Sequence, residues 1–273
     1  MIDYTLLMLA VVTVGSGLFA GVIAGMLGVG GGIVLVPTLE YLLRHAGVPA
    51  EARMHVAVAT SLATIIPTAI ASSRAHHRRG AVDWALVRSW APGLAIGALA
   101  GAAVAAAAQT RVLTAVFGAV CLAMAAKMLA PLDDWRLRAI VPRGAAGNAI
   151  GAAIGGVSAM MGIGGGTLGV PVMNVLGHNV HTSVGTASFF GLLIGLPGTL
   201  AYLTARPETP LPPLTIGFVS LIGFALIAPA TIYAAPIGAR LAHSLSRRHL
   251  ARAFGVFLCI VAARMGYRTF VAG

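Results

Sequence analysis

Two glycine clusters carry the groups best suited to chemistry in this chain. The first is Gly28-Val29-Gly30-Gly31-Gly32-Ile33-Val34-Leu35-Val36-Pro37 and the second is Gly162-Ile163-Gly164-Gly165-Gly166-Thr167-Leu168-Gly169-Val170-Pro171, with four glycines and a proline at one constant spacing. Each glycine weakens a helix by about 1 kcal/mol relative to alanine, so a run of them inside apolar sequence marks a break. Helix geometry is expected to stop near Gly28 and Gly162 and to resume after each triplet. A restarted helix presents backbone N–H groups that have no intrahelical partner. With the positive end of the helix dipole they make a site for an anion. Neither cluster contains the Lys-Ser/Thr of a phosphate loop, and the first lacks the third glycine of the dinucleotide fingerprint.

Hydroxyls near these breaks can donate to an anion without the desolvation cost of a full charge. Thr60, Ser61 and Thr64 in the first half, and Thr186 and Ser188 in the second, are so placed, and Thr167 directly follows the second triplet. Hydrogen bonding to a neighbouring helix or back to the same helix is the competing reading for most of them. The predicted substrate-binding set is therefore Gly30, Gly31, Gly32, Thr60, Ser61, Gly164, Gly165, Gly166, Thr167 and Thr186. Glu40, His55 and His181 are candidates for proton coupling, since an intramembrane carboxylate and a titrating imidazole are functional suspects. Glu40 can equally pair with Arg44 at a helix end, and both histidines sit where helices are expected to begin.

The elements that must position these groups follow from composition. The chain has 273 residues, 58% hydrophobic and 9% charged, with a mean hydropathy of +0.92, whereas a soluble domain carries about 25% charged residues. Apolar stretches long enough for a bilayer, such as Tyr4–Leu27, Met54–Ser72, Trp84–Ala108, Leu113–Leu129, Leu214–Ala235 and Leu250–Ala263, fill most of it. The expected fold is an all-α polytopic membrane protein with 8–10 membrane segments. A net charge of +11 resides in short loops without a basic, aromatic-interleaved face, which argues against nucleic acid. Cys121 and Cys259 lie in separate apolar stretches and read as packing residues. The first residues lack a basic n-region, so the first apolar segment is expected to be a retained helix. No intramembrane His, Asp, Glu or Cys pair has zinc-site spacing. Neither a metal nor a cofactor is expected, and catalysis is disfavoured.

The repeat extends beyond the glycines. Gly17, Gly21 and Gly25 correspond to Gly151, Gly155 and Ala159; His55 and Thr60 to His181 and Thr186; Pro92 and Gly101 to Pro229 and Gly238; Phe117, Gly118 and Lys127 to Phe254, Gly255 and Arg264. This divides the chain into a first transmembrane repeat, 1–131, and a second, 132–273, each with five apolar segments. The post-glycine segments 29–44 and 163–177 are short, and either spanning or re-entrant placement suits them. The loop Arg74-Ala75-His76-His77-Arg78-Arg79 is basic while its counterpart around Arg206-Pro207-Glu208 is not, and the bias reverses in the next loops, with Arg111 against Arg240, Arg247, Arg248 and Arg252. The linker with Arg136, Arg138 and Arg143 joins the basic set. Basic loops face the cytoplasm, so the halves are expected to be inverted, with both termini on the outer side of the inner (plasma) membrane. Inverted repeats are a common plan of secondary transporters, with substrate sites at broken helices near the midplane.

Two copies of Gly-x-Gly-Gly-Gly-x4-Pro, each followed by a helix with a Gly/Ala-Thr-Ser/Ala step, resemble the TauE/SafE family of membrane permeases. Arg79-Gly80-Ala81-Val82-Asp83-Trp84 and the pairs Phe117-Gly118 and Phe254-Gly255 resemble that family too, and the likeness covers nearly the whole chain. It implies transport of sulfite, sulfoacetate or related organosulfur anions. The expected function is secondary transport of a small anion by alternating access, with an anion channel or a non-transporting membrane sensor or assembly protein as alternatives. The expected partners are that anion and the lipid bilayer. Oligomeric state is left open by the sequence, a homodimer being one option.

Overall fold

A computed structural model describes residues 4–27, 30–129, 142–241 and 247–270. Among them are ten helices: α1 Tyr4–Leu27, α2 Gly32–His45, α3 Ala50–His77, α4 Trp84–Ala107, α5 Thr110–Leu129, α6 Gly144–Met161, α7 Gly166–Val175, α8 Val180–Thr204, α9 Leu221–Leu241 and α10 Arg247–Phe270. Gly28, and the linker residues Asp133, Asp134, Arg136 and Arg138, lie outside the described residues. The protein is an all-α polytopic membrane protein. Six of the described helices (α1, α3, α4, α5, α8 and α9) contain a stretch long and apolar enough to cross a bilayer. Their outer faces carry exposed aliphatic side chains such as Val11, Ile96, Leu122 and Leu200, as a surface facing lipid requires.

The post-glycine helices are short. At about 1.5 Å per residue, the 14 residues of α2 and the 10 of α7 reach about 21 and 15 Å, against a hydrocarbon core of about 30 Å. The apolar run from Leu214 is not helical throughout. A two-residue antiparallel hairpin, β1 Thr215–Ile216 with β2 Val219–Ser220, precedes α9. Its turn residue Gly217 has φ 55°, and a Cβ there would meet the Tyr202 carbonyl oxygen at 2.1 Å. That close, positive-φ turn diverts the chain before a helix can start.

Small residues set how the helices pack. A Cβ on Gly93, Gly97 or Gly101 of α4 would lie 2.0, 2.1 or 2.3 Å from the carbonyl oxygen of Asn148, Ala152 or Gly156 of α6. The two helices thus run parallel at backbone contact, the close approach that small-xxx-small ridges allow. On the other side Gly17 and Gly21 of α1 face Ala230 and Ala234 of α9, again parallel. Between α3 and α8 the order reverses: Gly191, Gly195 and Gly198 meet Ala69, Ile66 and Leu62. It reverses as well between α5 and α10, where Gly118 meets Met265 and Gly255 meets Leu129. The pairings α1–α9 and α6–α4, α2–α3 and α7–α8, and α4–α8 and α9–α3 exchange with one another when the first five helices are swapped for the last five. Trp90, Phe117, Phe190 and Tyr202 are the largest fully buried side chains of the core between these layers.

Candidate functional site at the glycine breaks

The first break is built by left-handed glycines. Gly30 and Gly31 have φ 78° and 71°, and Gly31 is the N-cap of α2; a side chain there would be strained. The Gly31 carbonyl accepts from Val34 and Leu35 at 3.0 and 3.1 Å, which starts the helix. At the second break, α6 ends at Gly162, φ 67°. The Gly162 N–H donates to Ala159 O and the Ile163 N–H to Ser158 O, at 3.3 and 3.0 Å. These two bonds form a Schellman cap that satisfies the end of α6. Gly165 is then the N-cap of α7.

The two breaks touch in the interior. A Cβ on Gly30 would lie 2.8 Å from Gly164 Cα, and one on Gly32 would lie 2.1 Å from Gly162 O. Only glycine at positions 30 and 32 permits that approach. Around the second triplet, Gly165 packs under Phe190 and Ile194, and Thr167 is buried in the first turn of α7.

A narrow cleft of about 10 Å³, room for about one water molecule, opens beside Gly30. It is lined by Ala24, Gly30, Thr68, Ala69, Ser72, Ser188 and Gly191, from α1, the first break, α3 and α8. Thr68 Oγ1 lies 2.7 Å from both Thr64 O and Thr231 Oγ1, and Ser188 Oγ donates to Gly185 O at 2.6 Å. Ser72 Oγ is buried and has no hydrogen-bond partner among the described residues. Thr68 and Ser72 were not in the predicted set. The signal was present: Thr60, Thr64, Thr68 and Ser72 recur every fourth residue along one stripe of α3, all of it buried.

The predicted hydroxyls hold the frame. Ser61 Oγ donates to Gly162 O at 2.7 Å, tying α3 to the second break. Thr60 Oγ1 accepts from the Ser220 N–H just before α9, and Thr186 Oγ1 accepts from the Asp83 N–H just before α4, both at 3.0 Å. Ser220 Oγ and Asp83 Oδ1 in turn accept from Gly223 and Leu86. One device thus caps the fourth and ninth helices alike.

Of the proton candidates, Glu40 is buried in α2 and His181 is exposed at the start of α8, where Asn179 caps its backbone N–H. His55 is buried, with Nδ1 3.0 Å from Glu51 O and Nε2 2.9 Å from Ala108 O, stacked on Phe218. It is a strut between α3 and the turn after α4. None of the three lines the cleft. The cations of the last helices of each half reach the short helices: Lys127 Nζ donates to Pro171 O at 3.0 Å, and Arg264 lies 5.0 Å over the Tyr41 ring.

The model of the sulfite exporter TauE/SafE family matches residues 13–265. The chain belongs to the TauE/SafE family. A relative in Haemophilus influenzae, named a probable membrane transporter protein, is 31% identical over 91% of this chain and 95% of its own length. Probable membrane transporter proteins of Bacillus subtilis and Methanocaldococcus jannaschii are each 24% identical, over 94% and 91% of this chain and 97% and 92% of their own. No solved structure matches the chain. TauE/SafE membership, together with the apolar helices, makes it a multi-pass membrane transporter.

Proposed function

We propose that this transporter is a secondary carrier of small anions, sulfite or an organosulfur anion such as sulfoacetate, working by alternating access. The observation that carries the reading is the meeting of two broken helices beside a hydroxyl-lined cleft. Non-helical backbone at membrane depth is tolerated where it is buried or lines a cavity, and the helix N-termini there suit an anion. The family description supplies the sulfur chemistry. Two inverted repeats, 1–131 and 132–273, are part of the proposal. The antiparallel runs of α3 against α8 and of α5 against α10 support it, since equivalent helices of inverted halves run in opposite directions. Movement of one bundle against the other would widen the cleft to each side in turn, with both termini outside the inner membrane.

Flux of labelled sulfite and sulfoacetate into proteoliposomes tests this reading. Saturable uptake that shows counterflow against unlabelled anion is expected. Unsaturable flux without counterflow would make the protein a channel, and binding without flux would make it a sensor. A reporter fused to the carboxyl terminus should be active outside; activity in the cytoplasm removes the inverted arrangement.

A further inference from the structure

We infer that two short collars, residues 80–83 and 217–220, are the gates of the transport path, one at each membrane face. The inference rests on the proposed alternating-access carrier and names the segments that open. Each collar leads into a helix, α4 or α9, and each begins with a left-handed glycine, Gly80 at φ 66° and Gly217 at φ 55°. The two correspond residue by residue: Gly80 to Gly217, Val82 to Val219 and the cap Asp83 to Ser220. Each is pinned to the long helix of the opposite half by the same bond. The Asp83 N–H donates to Thr186 Oγ1 of α8, and the Ser220 N–H to Thr60 Oγ1 of α3. A Cβ on Gly80 would meet nothing within 4 Å, so glycine serves the backbone turn there and leaves a pivot.

The collars lie at opposite ends of the antiparallel α3–α8 pair. Collar 80–83 follows the end of α3 and packs on the start of α8. A Cβ on Gly185 would lie 2.0 Å from Ala81 O, and His178 Nε2 lies 3.6 Å from Asp83 Oδ2. Two residues past Thr186, Ser188 lines the cleft beside the first break. Collar 217–220 covers the other end. The Phe218 N–H donates to Tyr202 O near the end of α8, and its ring stacks 4.9 Å from His55 near the start of α3. Ser61, next to Thr60, holds Gly162 O of the second break. A collar thus stands between each break and one end of the bundle. With both in place the cleft holds about 10 Å³, room for about one water molecule and too little for a sulfur oxyanion. One collar must lift before an anion enters, and lifting them in turn exposes the breaks to alternate sides.

Thiol labelling from each side of the membrane tests the gates. Ser188→Cys reports behind collar 80–83, and Thr64→Cys, one turn past Thr60, reports behind collar 217–220; both positions are buried. Cys121 and Cys259 are replaced by alanine, and a membrane-impermeant methanethiosulfonate is applied to right-side-out or inside-out vesicles. Thr186→Val should speed labelling of Ser188→Cys by about threefold or more from the cytoplasmic side and leave outside labelling unchanged. Thr60→Val should do the same for Thr64→Cys from the outside. Thr186→Ser and Thr60→Ser, which keep the acceptor, should label at the parent rate. If Thr186→Val does not insert, His178→Ala, which cuts the side-chain tie to Asp83, takes its place with the same expectation. No increase, or an equal increase from both sides, makes the collars packing alone and overturns the gates. Labelling needs no sulfite. Sulfite flux without side-specific labelling therefore keeps the carrier and removes the gates, and side-specific labelling without flux does the reverse.

Discussion

The two glycine breaks share a motif and differ in what surrounds them. At the first, left-handed Gly30 and Gly31 lead into α2, and a cleft with three hydroxyls opens beside Gly30. At the second, the left-handed residue is Gly162, at the end of α6, and the triplet is covered: a Cβ on Gly165 would lie 2.4 Å from Phe190 Cβ and 2.8 Å from Ile194 Cδ1. The offset that pairs Thr60 with Thr186 pairs Thr68 with Ile194, Ser72 with Gly198, and Ser188 with Leu62. Hydroxyls on one side answer aliphatic carbons or nothing on the other. The two breaks therefore differ in backbone as well as in surroundings, the N-cap Gly31 being left-handed and the N-cap Gly165 right-handed, and residues of α3 and α8 line the cleft only at the first.

The comparison breaks most visibly at the point of contact. Gly32→Ala forces a Cβ onto the Gly162 carbonyl oxygen, backbone against backbone, and should cost about 3 kcal/mol, the upper end for overpacking. Gly165→Ala meets side chains instead, and α8 can shift slightly, so about 2 kcal/mol is expected. Unfolding in mixed micelles orders the two. A Gly32→Ala protein as stable as the parent would mean that the breaks do not touch.

Ser61 links the breaks across the halves, and its loss comes next in size. Ser61→Ala leaves the buried Gly162 oxygen without this donor, a loss of about 1–2 kcal/mol. The effect should be seen as a lower unfolding midpoint. No change would place the end of α6 under the control of its own cap alone.

Much of this architecture was legible in the chain. Five apolar segments per half, one of them short and following a glycine triplet, correspond to the ten described helices, because hydrophobic runs and glycine breaks act locally. The hairpin before α9 was not legible, since Thr215–Ser220 is as apolar as the helix it precedes. The site was read in part. That the triplets come together follows from their repetition, but the cleft beside only one of them does not. Thr60 and Thr186 were chosen for proximity in sequence, and their partners, the backbone N–H groups of Ser220 and Asp83, lie 160 and 103 residues away. Ser72, by contrast, stands two turns past the last hydroxyl that the glycine motif drew attention to.

The equality between halves has a direct test at those caps. Thr60→Val and Thr186→Val keep side-chain shape and remove the acceptor for one backbone N–H each, buried at Ser220 and part-buried at Asp83. Each should cost about 1 kcal/mol, and the double substitution should cost their sum within about 0.5 kcal/mol, because the two bonds share no partner. A loss at one site only would show that the repeated hydrogen bond carries unequal load in the two halves.

The smallest expected effect has the opposite sign, and it sharpens the contrast between the breaks. Ser72 Oγ is buried without a partner among the described residues, so the fold bears the desolvation of a hydroxyl and receives no bond from them in return. Ser72→Ala removes that penalty and should raise stability by about 0.5–1 kcal/mol, read as a higher unfolding midpoint in the absence of any anion. Ser188→Ala, which removes a hydroxyl already bonded to Gly185 O, should not. If Ser72→Ala lowers stability instead, its hydroxyl is a structural bond like that of Ser61, and the first break would then be as closed as the second.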